Sequence, residues 1–207
     1  MKNIILIKML NYPDLKIGEE INFGASSHVY SGKYKGLDVA IKLYNKKHQK
    51  ELLHKIYGVW NKCSFEYMNL LEARSRCLEL NNYLQEPVGI CKNPSGLDIL
   101  VTRLVLDDNN QVSSELKDSK KIIDKEFKYQ LEEVLYLLGE REIYHMHLED
   151  ERNILVQVNS GIYPVIIDFQ SINEQYYPWL KLTKHLGIDS AKERYFRRVK
   201  RLLQSLE

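Results

Sequence analysis

The stretch that decides the fold is Ile21–Lys42, "INFGASSHVYSGKYKGLDVAIK". It opens with the end of a strand-like run and passes through four small residues, Gly24 to Ser27. It resumes as "HVYSG", bends at Lys35-Gly36 and ends on an alternating, β-branched segment that carries Lys42. Small residues in a bend between two strands let backbone N–H groups approach a phosphate, and a lysine on the next strand supplies a fixed positive charge. The bland alternative is an ordinary hairpin with an exposed lysine. Val39-Ala40-Ile41-Lys42, at this distance from the small-residue bend, favours the phosphate cradle.

Downstream, "SFEYMNLLEARSRCLEL" from Ser64 places Phe65, Met68 and Leu71 on one side and reads as a helix with Ser64 as N-cap. "PVGICKNPSGLDILVTRLVL" reads as strand, Asn-Pro-Ser-Gly turn, strand. Residues 107–120 are polar and read as a connecting segment. "KKIIDKEFKYQLEEVLYLLGE" is the clearest helix, with Ile123, Phe127, Leu131, Val134, Leu135 and Leu138 at helical spacing and Gly139 as its stop. A strand pair around "NILVQVNSGIYPVIIDF" and a helical C-terminus from about Trp179 complete the chain. The expected architecture is α+β and bilobal, a single domain over 1–207. Its β-rich first lobe with one helix covers about 1–105, and its helical second lobe, reduced in size, covers about 106–207.

Two further stretches carry chemistry. "PVIIDFQS" is an apolar strand that ends in an acid, which sets the Asp168 carboxylate where it suits Mg²⁺. The competing reading is a strand-terminal Asp capping a turn. Tyr144–Val156, "YHMHLEDERNILV", holds two histidines, three acids and Asn153 just before an apolar strand. A zinc site at His145 and His147 lacks a third ligand at convincing spacing.

A net charge of +2 and a hydrophobic share of 44% suit a packed soluble chain and give no compositional ground for a nucleic-acid partner. From Lys181 to Glu207 there are eight Lys/Arg against three Asp/Glu, read as the solvated face of a terminal helix. Cys63, Cys77 and Cys91 show no metal or disulfide pattern and are expected as reduced thiols. The N-terminal apolar run is too short for a signal peptide, and no run approaches the roughly 20 residues of a membrane span. A cytoplasmic protein is expected.

Taken in order, these motifs resemble the protein-kinase-like superfamily over residues of about 17 to 171. Asn22, Gly24, Ser27 and Val29 occupy the places of its Gly-x-Gly-x-x-Gly-x-Val loop, with only the middle glycine kept. The resemblance implies that Lys42 contacts the α/β-phosphates of ATP and pairs with a helix glutamate, Glu66 or alternatively Glu72. It adds Ala40, Arg103 and Val105 to the nucleotide-binding set. It makes Asp168 the metal ligand of an Asp-Phe-Gly-like motif, with Gln170 in place of Gly, and Asn153 the second Mg²⁺ ligand. In the catalytic loop His145 fits the first place, but the position of the usual Asp falls on His147, with one residue more than usual before Asn153. Asp150 or Glu149 stands in for the missing acid if the insertion reshapes the loop; otherwise a neutral His147 accepts the proton.

Only 39 residues follow Asp168. This leaves no room for an activation segment and peptide-docking platform, and so the chain is similar to the minimal RIO-type and lipopolysaccharide-kinase-like members. The implied activity is ATP- and Mg²⁺-dependent transfer of the γ-phosphate to a hydroxyl of a protein or small molecule. The alternatives are a pseudokinase or nucleotide-binding regulatory module without an effective base, and, third, a nucleic-acid-linked role through the basic tail.

Overall fold

The computed structural model describes residues 7–23, 27–45, 62–145, 147–169, 171, 172 and 190–206. Gly24, Gln170 and Trp179 lie outside them. The protein is mixed α+β, and its contacts divide it into two compact units, residues 1–71 with 86–104, and 72–85 with 105–207.

The first unit is built on a five-stranded antiparallel sheet. Strands β1 (Leu15–Phe23), β2 (Ser27–Tyr34) and β3 (Leu37–Tyr44) follow one another, helix α1 (Lys62–Arg76) intervenes, and β4 (Pro87–Lys92) and β5 (Asp98–Arg103) complete the order β1-β2-β3-β5-β4. Between β2 and β3 the turn residues Lys35 and Gly36 both have positive φ, 49° and 84°. That is the two-residue hairpin geometry whose twist matches the flanking strands, and it favours glycine. Asn93 ties the β4–β5 turn: its backbone oxygen accepts from Gly96 N at 2.8 Å and its side-chain oxygen from Leu97 N at 2.9 Å. The outer edge of β4 is covered by residues 8–10, with Leu10 N donating to Ile90 O at 2.7 Å and Ile90 N donating to Lys8 O at 2.9 Å.

The period of two along β3 separates the two faces of this sheet. Val39 and Ile41 pack with Leu15, Tyr34, Ile99 and Val101 on one face. Ala40, Lys42 and Tyr44 point to the other, where Tyr44 joins Ile90, Leu100 and the helix residues Cys63 and Tyr67. Helix α1 starts by Lys62, so Ser64 is an internal residue rather than the expected N-cap. Burial runs almost unbroken from Cys63 to Leu70 instead of marking a single stripe, because Cys63 and Tyr67 already face the sheet. The helix passes from one unit to the other between Leu71 and Glu72.

In the second unit, residues 107–120 are not only a connector. They hold the short strand β6 (Ser114–Glu115) and the single turn α2 (Leu116–Ser119). Helix α3 (Lys125–Glu140) starts later than the apolar pattern suggests, because Asp124 caps it by accepting from Phe127 N at 2.8 Å; Ile123 therefore lies outside it. Gly139 is not its stop. It sits inside the last turn, and the left-handed residue that follows the helix is Glu142, at φ 58°. Strand β7 (Tyr144–His145) leads to a hairpin of β8 (Ile154–Val158) and β9 (Ile162–Ile166), which extends to β6. Strand β10 (Ser171–Ile172) pairs back on β7, and helix α4 (Ser190–Gln204) packs on α3. Tyr195, Val199 and Leu202 form the apolar stripe of α4, and the Tyr195 hydroxyl donates to Leu135 O at 2.7 Å. Among the described residues no helix is long and apolar enough to cross a membrane.

Candidate functional site

The residues singled out from sequence fall into two groups, one in each unit. In the first unit, strand register aligns them. Asn22 of β1 stands opposite Val29 of β2, Val29 opposite Lys42 of β3, and Lys42 opposite Leu100 of β5. Directly opposed residues in an antiparallel sheet project from the same face. Asn22, Val29 and Lys42 therefore form one row, with Ala40, between Ser31 and Thr102, two residues along. Ser27 is buried and pairs with Tyr44. Gly24, in the bend itself, is outside the described residues.

The Lys42 ammonium meets both oxygens of the Glu66 carboxylate, at 3.1 Å and 3.0 Å. The pair is buried, with side-chain exposures of 11% and 1%. A carboxylate this deep is tolerated only when paired and hydrogen-bonded. Tyr44, two residues from Lys42 and hence on the same face, donates its hydroxyl to Glu66 as well. The alternate, Glu72, instead pairs with Arg76 one turn on, at 3.2 Å. Arg103 is exposed at the end of β5, its backbone N–H donating to Glu86 O at 2.7 Å. Val105 is buried at the start of the second unit, its carbonyl accepting from Ser113 N at 3.0 Å.

In the second unit, the residues of the His145–Asn153 stretch gather at the base of the β8–β9 hairpin. His145 is 1% exposed. Its Nδ1 accepts from His147 N at 3.0 Å, so the ring proton is on Nε2, which faces Ile167 O at 3.3 Å. The ring also meets Phe169 edge-on at 4.9 Å between centroids. With both nitrogens occupied, His145 is a structural tie between the loop and the residues flanking Asp168. No group of three His, Cys, Asp or Glu side chains suited to a metal occurs among the described residues.

Asn153 is buried. Its amide nitrogen donates to His147 O at 2.9 Å, which orients the amide oxygen as the group left for a cation. Its backbone carbonyl accepts from Ile167 N at 2.9 Å, next in the chain to Asp168. Asp168 adopts φ 49°, a conformation that Asp tolerates better than most residues but that still carries strain. An amide oxygen and a carboxylate are hard donors. Too few for a self-sufficient cage, they fit a Mg²⁺ that keeps water and phosphate oxygens as its other ligands.

The acids Glu149, Asp150 and Glu151 all have cationic partners. Glu149 lies 3.0 Å from Arg201 and 3.9 Å from Arg198, both on α4. Asp150 is clasped by Arg152, with Oδ1 2.8 Å from Nε and Oδ2 2.6 Å from an Nη, and it caps the turn at Glu151–Asn153. The hydrogen bonds from Arg152 hold its carboxyl below the usual range, while burial and the Asp168 charge push the other way. Glu151 meets Lys120 at 2.7 Å and accepts from Ser205 Oγ at 3.0 Å. His147 is exposed, and among the described residues its ring has no hydrogen-bond or ion-pair partner. Sequence reasoning missed Tyr44, whose signal was its place two residues beyond Lys42. It also missed the Arg198 and Arg201 contacts to Glu149, which no local pattern announces.

A scan against models of known protein families found no match, and neither did a search of curated proteins.

Proposed function

We propose that this protein is an ATP- and Mg²⁺-dependent phosphotransferase of the protein-kinase-like class, acting on a hydroxyl of a protein or small molecule. The observation that carries the reading is the buried Lys42–Glu66 pair, formed on the strand face that also presents Ala40, Val29 and Asn22. Phosphoryl transfer depends chiefly on positioning and on neutralising phosphate charge, and a lysine fixed by a buried carboxylate suits that task. Bound Mg²⁺ would supply further charge neutralisation at the phosphates, held by Asn153 and Asp168. Lys42 contacts the nucleotide phosphates, and Glu66 holds it in place. His147 accepts the hydroxyl proton, or Asp150 does so once released from Arg152.

A specific observation favours a second reading, a nucleotide-binding module with little turnover. Glu149, Asp150 and Glu151 each engage a cation, which leaves the His147 imidazole at the base position. A general base is worth about 10²–10⁴-fold in rate, so its weakening spares nucleotide binding while slowing transfer.

Titration calorimetry with ATP and Mg²⁺ tests the common core of both readings. Binding is expected to need Mg²⁺ and to weaken at least tenfold in Lys42→Ala and in Asp168→Ala. Equal affinity in all three proteins, or none in the wild type, would sink both.

A further inference from the structure

We propose that Tyr44 is the positioning residue of the Lys42–Glu66 pair, its hydroxyl latching the Glu66 carboxylate so that the lysine is presented in one place. The significance for nucleotide binding rests on the reading above; the latch itself does not. Tyr44 is 1% exposed and its ring is held by Cys63, Tyr67, Ile90 and Leu100, so the hydroxyl has little freedom to point elsewhere. Glu66 Oε2 accepts from both Tyr44 and Lys42, and Oε1 accepts from Lys42. A lysine ammonium is a rotatable point charge on a flexible stem and does not by itself fix the plane of a carboxylate. A phenol anchored in the core does.

The Lys42 and Lys62 ammoniums both lie against the Tyr44 ring, at 5.0 Å and 4.8 Å from its centroid. The aromatic ring thus braces the cation that its own hydroxyl helps to pair. Other titratable groups face the same pocket. Cys63 of α1 is one, its thiol pushed up by burial first and then by the Glu66 and Asp98 charges. Asp98 of β5, paired with Lys92 at 2.7 Å, is another.

The test is Tyr44→Phe, which keeps the ring packing and removes only the donor. Protein labelled with ¹³C at the glutamate carboxyl carbon allows Glu66 to be titrated by NMR, its signal assigned by its loss in Glu66→Gln. A carboxylate that loses a hydrogen bond binds protons more tightly. The Glu66 midpoint is expected to rise by about one pH unit, a tenfold change in proton affinity. An unchanged midpoint in a folded Tyr44→Phe protein overturns the proposal and reduces Tyr44 to a core residue. If that variant does not fold, the wild type decides. A charge-assisted phenol proton gives a downfield, slowly exchanging ¹H signal that disappears in Glu66→Gln; its absence overturns the latch equally. KM and kcat for ATP then separate the two claims. A raised midpoint with a raised KM supports the latch and its bearing on nucleotide. A raised midpoint in a protein that does not bind ATP supports the latch and removes the phosphotransferase reading.

Discussion

Lys42 and Glu66 form an ion pair with little exposure to solvent, and their burial sets what their removal costs. Lys42→Met leaves the Glu66 carboxylate almost fully buried without the ammonium that meets both of its oxygens. Breaking a buried pair from one side costs about 3 kcal/mol, whereas replacing both partners together is often near neutral. Urea unfolding is expected to show that loss in Lys42→Met and a clearly smaller one in Lys42→Met/Glu66→Gln; equal losses would contradict the pairing. The three cysteines are free and buried, more deeply than the partial burial expected of them. Burial pushes the Cys91 thiol up to about 11, and Cys63 and Cys77 are raised too. A thiol raised in the folded state ionises first in the unfolded chain. Stability is therefore expected to hold below about pH 9 and to fall as pH rises beyond it. Equilibrium unfolding measured between pH 8 and 10.5 checks the slope, which is expected to flatten in Cys91→Ala. The Lys42–Glu66 pairing was legible through the resemblance that the runs around both residues carry. The partners of Glu149 and Glu151 were not, because Arg201 and Ser205 reach them only through the packing of the C-terminal helix.

Among the elements, α3 and α4 show how a residue type misleads when its tertiary setting is unseen. Gly139 reads as a helix stop, since glycine commonly follows a C-terminus. A Cβ there would instead come within 2.6 Å of the Phe196 ring and 2.8 Å of the Tyr195 ring. Two effects of opposite sign decide Gly139→Ala. Helix propensity gains about 1 kcal/mol, and overpacking against the ring of Tyr195, pinned by its hydroxyl, costs about 1–3 kcal/mol. The clash is expected to win, with a net loss of about 1 kcal/mol in urea unfolding. Asp124→Ala, which removes the cap on Phe127 N, is expected to cost about 1 kcal/mol by the same measurement. The hairpins read correctly because their signals are short-range: Lys35-Gly36 and the Asn-Pro-Ser-Gly turn dictate their own geometry. The short strands β6, β7 and β10 were invisible, because two-residue pairings carry no periodicity.

At the scale of the molecule, the sequence placed the change from sheet to helix near Leu104 to Asp108. The two contact-defined units divide there as well, although residues 72–85 join the second unit. They do so because Gln85 N and the Tyr83 carbonyl bond Ile166 at 3.0 Å and 2.8 Å, beside the strand that leads to Asp168. The proposed function turns on Mg²⁺-dependent phosphoryl transfer with Asp168 as a metal ligand. Transfer of the γ-phosphate of labelled ATP, to water or to an added hydroxyl acceptor, measured in the wild type and in Asp168→Ala, tests it most directly. The account predicts Mg²⁺-dependent release or transfer in the wild type and at least a hundredfold loss in Asp168→Ala. Turnover that is unchanged by Asp168→Ala, or that proceeds without Mg²⁺, would contradict it.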